Sequence, residues 1–149
     1  MKSNLKDYII KQSSFLENDF CDETIIRLQE LEKLEWRKHA YYNNQTGKLV
    51  SNGNQELDIT YANHLDNTRV IIEKMWHSIA NYIDSFKYPW FTAWRGFSPI
   101  RYNRYTLNQK MNYHCDHIHS LFDGDRKGIP ILSCLGLLND DYEGGEFLI

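Results

Sequence analysis

Two stretches in the first part of the chain carry apolar residues at three- and four-residue steps, the spacing of one helix face. The first follows Asp22, a good N-cap, and places Ile25, Leu28, Leu31 and Leu34 on one stripe. The second runs over about residues 67–86, with Ile72, Met75, Trp76, Ile79, Ile83 and Phe86 in the same rhythm. The texture then changes. Residues 90–105 are aromatic and partly β-branched, with Pro99 as punctuation, and predict one or two strands. Residues 111–114 form a short candidate strand, and 129–138 are apolar on both faces, as in a fully buried strand. Gly144 and Gly145 predict a turn into a further strand at 146–149, while 43–55 and 123–128 read as loops. Helices first and strands later imply an α+β domain over residues 1–149, with helical support over about 1–88 and strands over about 89–149.

Composition narrows the picture slightly. A length of 149 residues suits one domain with its own core, and a net charge of −3 offers no general attraction to nucleic acid or an anionic membrane. The opening residues lack the apolar core of a secretory signal, and no window approaches the ~20 apolar residues of a membrane span. Cys21, Cys115 and Cys134 are scattered and odd in number, which argues against a disulfide framework and for a reducing, cytoplasmic setting.

The chemistry concentrates in residues 101–116, RYNRYTLNQKMNYHCD. His114 and Asp116 flank Cys115, so on a strand their imidazole and carboxylate converge on one side. Such a pair begins a two-histidine, one-carboxylate facial triad for iron(II). Alone, the triplet is a weak signal, because most such triplets are solvated surface residues. Its context is more specific. Asn103-Arg104-Tyr105 precedes it, and an apolar run ending in Leu138-Asn139-Asp140 and then Gly144-Gly145-Glu146 follows it. In this order the chain resembles the iron(II)- and 2-oxoglutarate-dependent oxygenases, particularly their prolyl-hydroxylase-like branch. The resemblance covers roughly residues 101–149, and the N-terminal FLENDFCDETIIRLQEL is similar to that family's opening segment.

The resemblance implies a double-stranded β-helix (jelly-roll) core, incomplete at its C-terminal side, with N-terminal supporting helices. It implies a dioxygenase that hydroxylates a protein or peptide side chain or a small molecule, with Fe(II) as metal, 2-oxoglutarate as cosubstrate and ascorbate as an accessory reductant. His114 and Asp116 become metal ligands and catalytic residues. Tyr105 and Asn103 become cosubstrate contacts, a role that a phenol and an amide suit chemically; the plainer reading has Tyr102 and Tyr105 as barrel-lining aromatics. The family's distal histidine and its following basic residue have no counterpart in the 33 residues after Asp116. A fragment, a split protein completed by a partner chain or homo-oligomer, and an inactive binding or assembly module all fit that departure. His117 and His119 read as solvent-facing or supporting groups, and an adventitious zinc or nickel site is a further reading of the cluster. His39, His64 and His77 read as structural, and Glu143 and Glu146 as turn residues. Trp90, Trp94 and Arg95 suit either a core or a substrate-facing place.

Overall fold

The computed structural model describes residues 4–32, 35–43, 45–89, 91–93, 96–114 and 130–148. Helix α1 (Asn18–Gln29) begins five residues before the expected start, with its N-cap at Glu17 rather than Asp22, and Glu17 makes no side-chain cap. Asp22 therefore lies inside the helix. The acidic Asp19 in the first turn favours this earlier start through the helix dipole. Cys21, Thr24 and Leu28, spaced by three and four, form the buried edge of α1. Helix α2 (Asp66–Phe86) matches the long apolar rhythm to within one residue. Its most deeply buried residues are Asn67, Thr68 and Ile71, while the predicted stripe from Ile72 to Phe86 is half-buried.

Side-chain hydrogen bonds tie the helices together. Thr24 Oγ1 donates to the Phe20 carbonyl at 2.7 Å and accepts from Asn67 Nδ2 at 2.9 Å, so a buried polar pair is satisfied on both sides. At the far end of α2, the Tyr82 hydroxyl donates to the Tyr8 carbonyl at 2.8 Å, and Tyr8 stacks on Phe86.

Strands β1 (Arg37–Lys38), β4 (Asp58–Thr60) and β5 (Tyr102–Arg104) form an antiparallel sheet in the order β1-β4-β5. Strands β2 (Tyr41–Asn43) and β3 (Lys48–Val50) form a separate hairpin. The Asn-rich segment read as a loop thus contains a strand. Asn43 Oδ1 accepts from the backbone N–H of Gln45 and Thr46, closing the turn that brings β3 back. Strands also precede α2, so the expected succession of helices and then strands is replaced by an interleaved one. The core gathers Leu28, Ala62, Ile71 and Tyr102, with Phe20, Trp36 and Leu138 packed around it.

The architecture is mixed α+β, as expected, with a small three-stranded sheet. Residues 111–114, 130–138 and 146–148 form no strand. Leu135 and Leu137 are 63% and 76% exposed, so this run is not the buried strand its composition predicted. A buried strand needs neighbours on both edges to satisfy its N–H and C=O groups, and among the described residues the sheet supplies none here. Leu138, at the end of this run, packs against the core.

Candidate functional site

Strand β5 carries the sequence motif, and its two sides do different work. Tyr102 faces α2. Thr68 Oγ1 donates to the Ala62 carbonyl at 2.9 Å, so in the 2.8 Å contact with Tyr102 the phenol is the donor. Burial raises the Tyr102 pKa, an effect the Thr68 bond opposes. Arg104 lies on the same side. It meets Asp58 Oδ2 at 3.2 Å and stacks on Trp36 with its guanidinium carbon 4.2 Å from the ring centre. Lys38 meets the other Asp58 oxygen at 2.9 Å. Burial alone would raise the Asp58 pKa, but hydrogen bonds and charge from Lys38 and Arg104 hold it below the usual carboxylate value.

Asn103 pairs in register with Ile59, which in turn pairs with Arg37, so these three share the opposite side of the sheet. Arg101 Nε donates to Asn103 Oδ1 at 2.9 Å, which places Arg101 on that side too. Tyr105, two residues beyond Asn103, is 49% exposed. Its phenol pKa is raised by burial, lowered by the Arg101 charge and raised again, less strongly, by Glu56. Glu56 itself is 3% exposed. Its carboxylate meets His39 Nδ1 at 3.0 Å and Asn52 Nδ2 at 3.2 Å. His39 is therefore held in a buried contact, in keeping with the structural role expected of it.

The chain turns after Tyr105. Thr106 and Gln109 close this turn reciprocally, and Lys110 N donates to the Gln55 carbonyl at 3.3 Å, pinning the segment to the short turn that precedes β4. His114 follows, exposed, with Nδ1 2.7 Å from the Asn112 carbonyl. A carbonyl can only accept, so Nδ1 donates, and in the neutral ring the lone pair is then on Nε2. This is the arrangement in which an imidazole binds a metal through Nε2 while its other nitrogen fixes the ring. His114 therefore fits the ligand role chemically. Asp116, the partner ligand expected from the sequence, lies outside the described residues, as do Cys115, His117, His119, Trp90, Trp94 and Arg95. Among the described residues no three histidine, cysteine or acidic side chains gather into a metal site.

The other expected residues take ordinary places. His64 sits exposed, 3.8 Å from Glu35, and His77 Nδ1 lies 2.8 Å from the Glu73 carbonyl one turn earlier. Glu143 and Glu146 are exposed on either side of Gly144 and Gly145, whose φ angles of 78° and 72° make the expected turn. Two shallow hollows adjoin at Asn63. One of about 300 Å³ is lined by Arg69, Ile72, Phe97 and Pro99, and the other by Glu35, Arg37, Tyr61 and His64; neither includes Asn103, Tyr105 or His114. Sequence reading missed Arg101 and Glu56. Arg101 stood inside the quoted motif, and its spacing of two from Asn103 was the available signal. Glu56 had none, because its partner His39, 17 residues away, arrives only through the fold. No family model matches the chain, and no characterised protein or solved structure matches it significantly. Among the described residues, no helix is long and apolar enough to cross a membrane.

Proposed function

We propose that this chain is part of an iron(II)- and 2-oxoglutarate-dependent dioxygenase that hydroxylates a protein or peptide side chain or a small molecule. The observation that carries the reading is the ordered motif Asn103-x-Tyr105, His114-x-Asp116, Leu138-Asn139-Asp140 and Gly144-Gly145-Glu146. The Nδ1–H tautomer of His114 supports it, as does the placement of Asn103 with Arg101 on one side of β5, two residues before Tyr105. In this reading the jelly-roll core is completed by further strands, and the protein works in the cytoplasm.

His114 Nε2 and the Asp116 carboxylate would hold the iron, which with 2-oxoglutarate supplies oxygen activation for the hydroxylation, with succinate and carbon dioxide as co-products. The chain's own residues bind and orient. The Asn112 carbonyl keeps the His114 ring in its ligating tautomer. Tyr105 offers a hydroxyl, and Asn103 an amide N–H, to cosubstrate oxygens. The expected result is succinate formed from 2-oxoglutarate in the presence of iron(II), and lost in His114→Ala and Asp116→Ala. Turnover that is absent from the folded wild-type chain, or that survives both substitutions, contradicts the proposal.

A second reading is a non-catalytic binding or assembly module. It is favoured by the exposed Leu135, Leu137, Phe147 and Leu148, a surface that a partner chain would cover. It predicts partner binding that is indifferent to His114→Ala.

A further inference from the structure

The link between β4 and α2 is held from inside and leaves its polar side chains outside. The Ala62 carbonyl accepts from the Leu65 N–H at 3.1 Å and from Thr68 Oγ1 at 2.9 Å, and Ala62 is 5% exposed. With this turn fixed, Asn63 and His64 stand on the surface. The two shallow hollows adjoin at Asn63, so they form one groove over the link. Its part against α2 is about 300 Å³ and largely apolar, lined by Ile72, Phe97 and Pro99 with Arg69 one turn before Ile72. Phe97 is 48% exposed and is held edge-on by Trp76 at a ring separation of 5.3 Å. An aromatic ring fixed in place and half open to water gains by being covered.

The part against β1 carries the charge. Arg37 lies over the Tyr61 ring, its guanidinium carbon 5.4 Å from the ring centre. Among the described residues Arg37 has no carboxylate partner, and the Asn63 side-chain amide has no hydrogen-bond partner. The acids nearby have their own basic neighbours. Glu35 meets His64 at 3.8 Å, and Asp66 meets Arg69 at 3.5 Å. Arg37 is therefore the surplus charge of the groove. Its stacking on Tyr61 orders the guanidinium in advance, which lowers the entropy cost of pairing with a carboxylate. Asn63, at the seam, offers both a donor and an acceptor, the pair that a peptide bond requires.

We propose that this groove docks an extended peptide carrying an apolar and an acidic side chain two residues apart. The apolar side chain covers Phe97 between Ile72 and Pro99, the carboxylate pairs with Arg37, and the Asn63 amide meets the backbone between them. Alternate side chains of an extended chain point the same way, about 7 Å apart, so one short segment serves both parts. The groove includes none of Asn103, Tyr105 and His114, so the inference goes beyond the oxygenase reading and does not depend on it.

The test is a titration of the isotope-labelled full chain, in chelator and without 2-oxoglutarate, followed by nuclear magnetic resonance of its assigned backbone amides. The probe is a capped peptide, Gly-Ser-Glu-Gly-Leu-Gly-Glu-Ser-Gly, whose glutamates flank the leucine symmetrically so that either chain direction fits. Shifts are expected at the amides of the β4–α2 link, the first turns of α2 and the Phe97–Pro99 segment. Arg37→Gln should weaken binding about fivefold, the upper range for an exposed charge pair, and so should glutamine in place of the probe's glutamates. Phe97→Ala should weaken it at least as much. Serine in place of the probe's leucine tests the same contact in the wild-type chain, should that variant fail to fold. Lys48→Gln removes an equal charge on β3, away from the groove, and should bind as the wild type does. The inference is overturned by an absence of groove shifts at millimolar peptide, by unchanged binding in Arg37→Gln, or by an equal loss in Lys48→Gln. It is also overturned if a mixed-sequence single-stranded DNA shifts the same amides at lower concentration, which would make Arg37 and Tyr61 a nucleic-acid contact.

Discussion

Thr68 stands at a junction where α2, the Ala62 carbonyl and Tyr102 meet, and it is 1% exposed. Tyr102→Phe removes one buried bond but leaves Thr68 its Ala62 acceptor, so it should cost about 1 kcal/mol in urea unfolding. Thr68→Val strands the Tyr102 phenol in a buried place and removes one of the two hydrogen bonds to the Ala62 carbonyl, which keeps the Leu65 N–H at 3.1 Å. It should therefore cost more than Tyr102→Phe, and a reversed order would contradict this account of the junction. Asp58 gives a residue-level pH dependence. Its folded pKa is depressed by Lys38 and Arg104, so its contribution to stability is complete above the unfolded value of about 3.9 and is lost as pH falls through the lower folded value. Asp58→Asn should flatten the acid limb of a stability-against-pH curve; an unchanged limb would show that the pair does not contribute.

The two ends of α2 show what an element's sequence reveals and what it hides. Six apolar residues at helical spacing made α2 legible, and its observed start at Asp66 differs by one residue from the expected one. The start of α1 was misplaced because Asp22 is a good cap in isolation, whereas Glu17 opens the helix with no side-chain bond to mark it. Strands β1, β4 and β5 span only two or three residues, too few for alternation to register, so their pairing is a product of tertiary contact. The C-terminal end of α2 is clasped by Tyr8, Tyr82 and Tyr88. The Tyr82 phenol is pushed up to about 12, first by burial and then by its hydrogen bond with Tyr88. A raised folded pKa means stability that is full below the unfolded value of about 10 and lost as pH rises towards the folded one. Alkaline unfolding should therefore be shallower in Tyr82→Phe, and an identical alkaline limb in the variant would remove Tyr82 as its cause.

Across the whole molecule, the α+β class was legible and the strand count was not. The apolar run at 130–138 has the composition of a buried strand, yet a strand is buried only when neighbours complete its ladder, and among the described residues the three-stranded sheet ends at β5. Of the candidate site, Asn103, Tyr105 and His114 were readable as a motif. Arg101 gains its meaning from one hydrogen bond to Asn103, and Glu56 from its contact with His39, which lies 17 residues away in the chain. The most direct test of the oxygenase reading is an anaerobic titration of the full chain with iron(II), with and without 2-oxoglutarate, followed in the visible range. The account predicts a weak metal-to-ligand charge-transfer band that needs both iron and 2-oxoglutarate and disappears in His114→Ala and Asp116→Ala. A folded chain that shows no band, or a band that persists without His114, contradicts it.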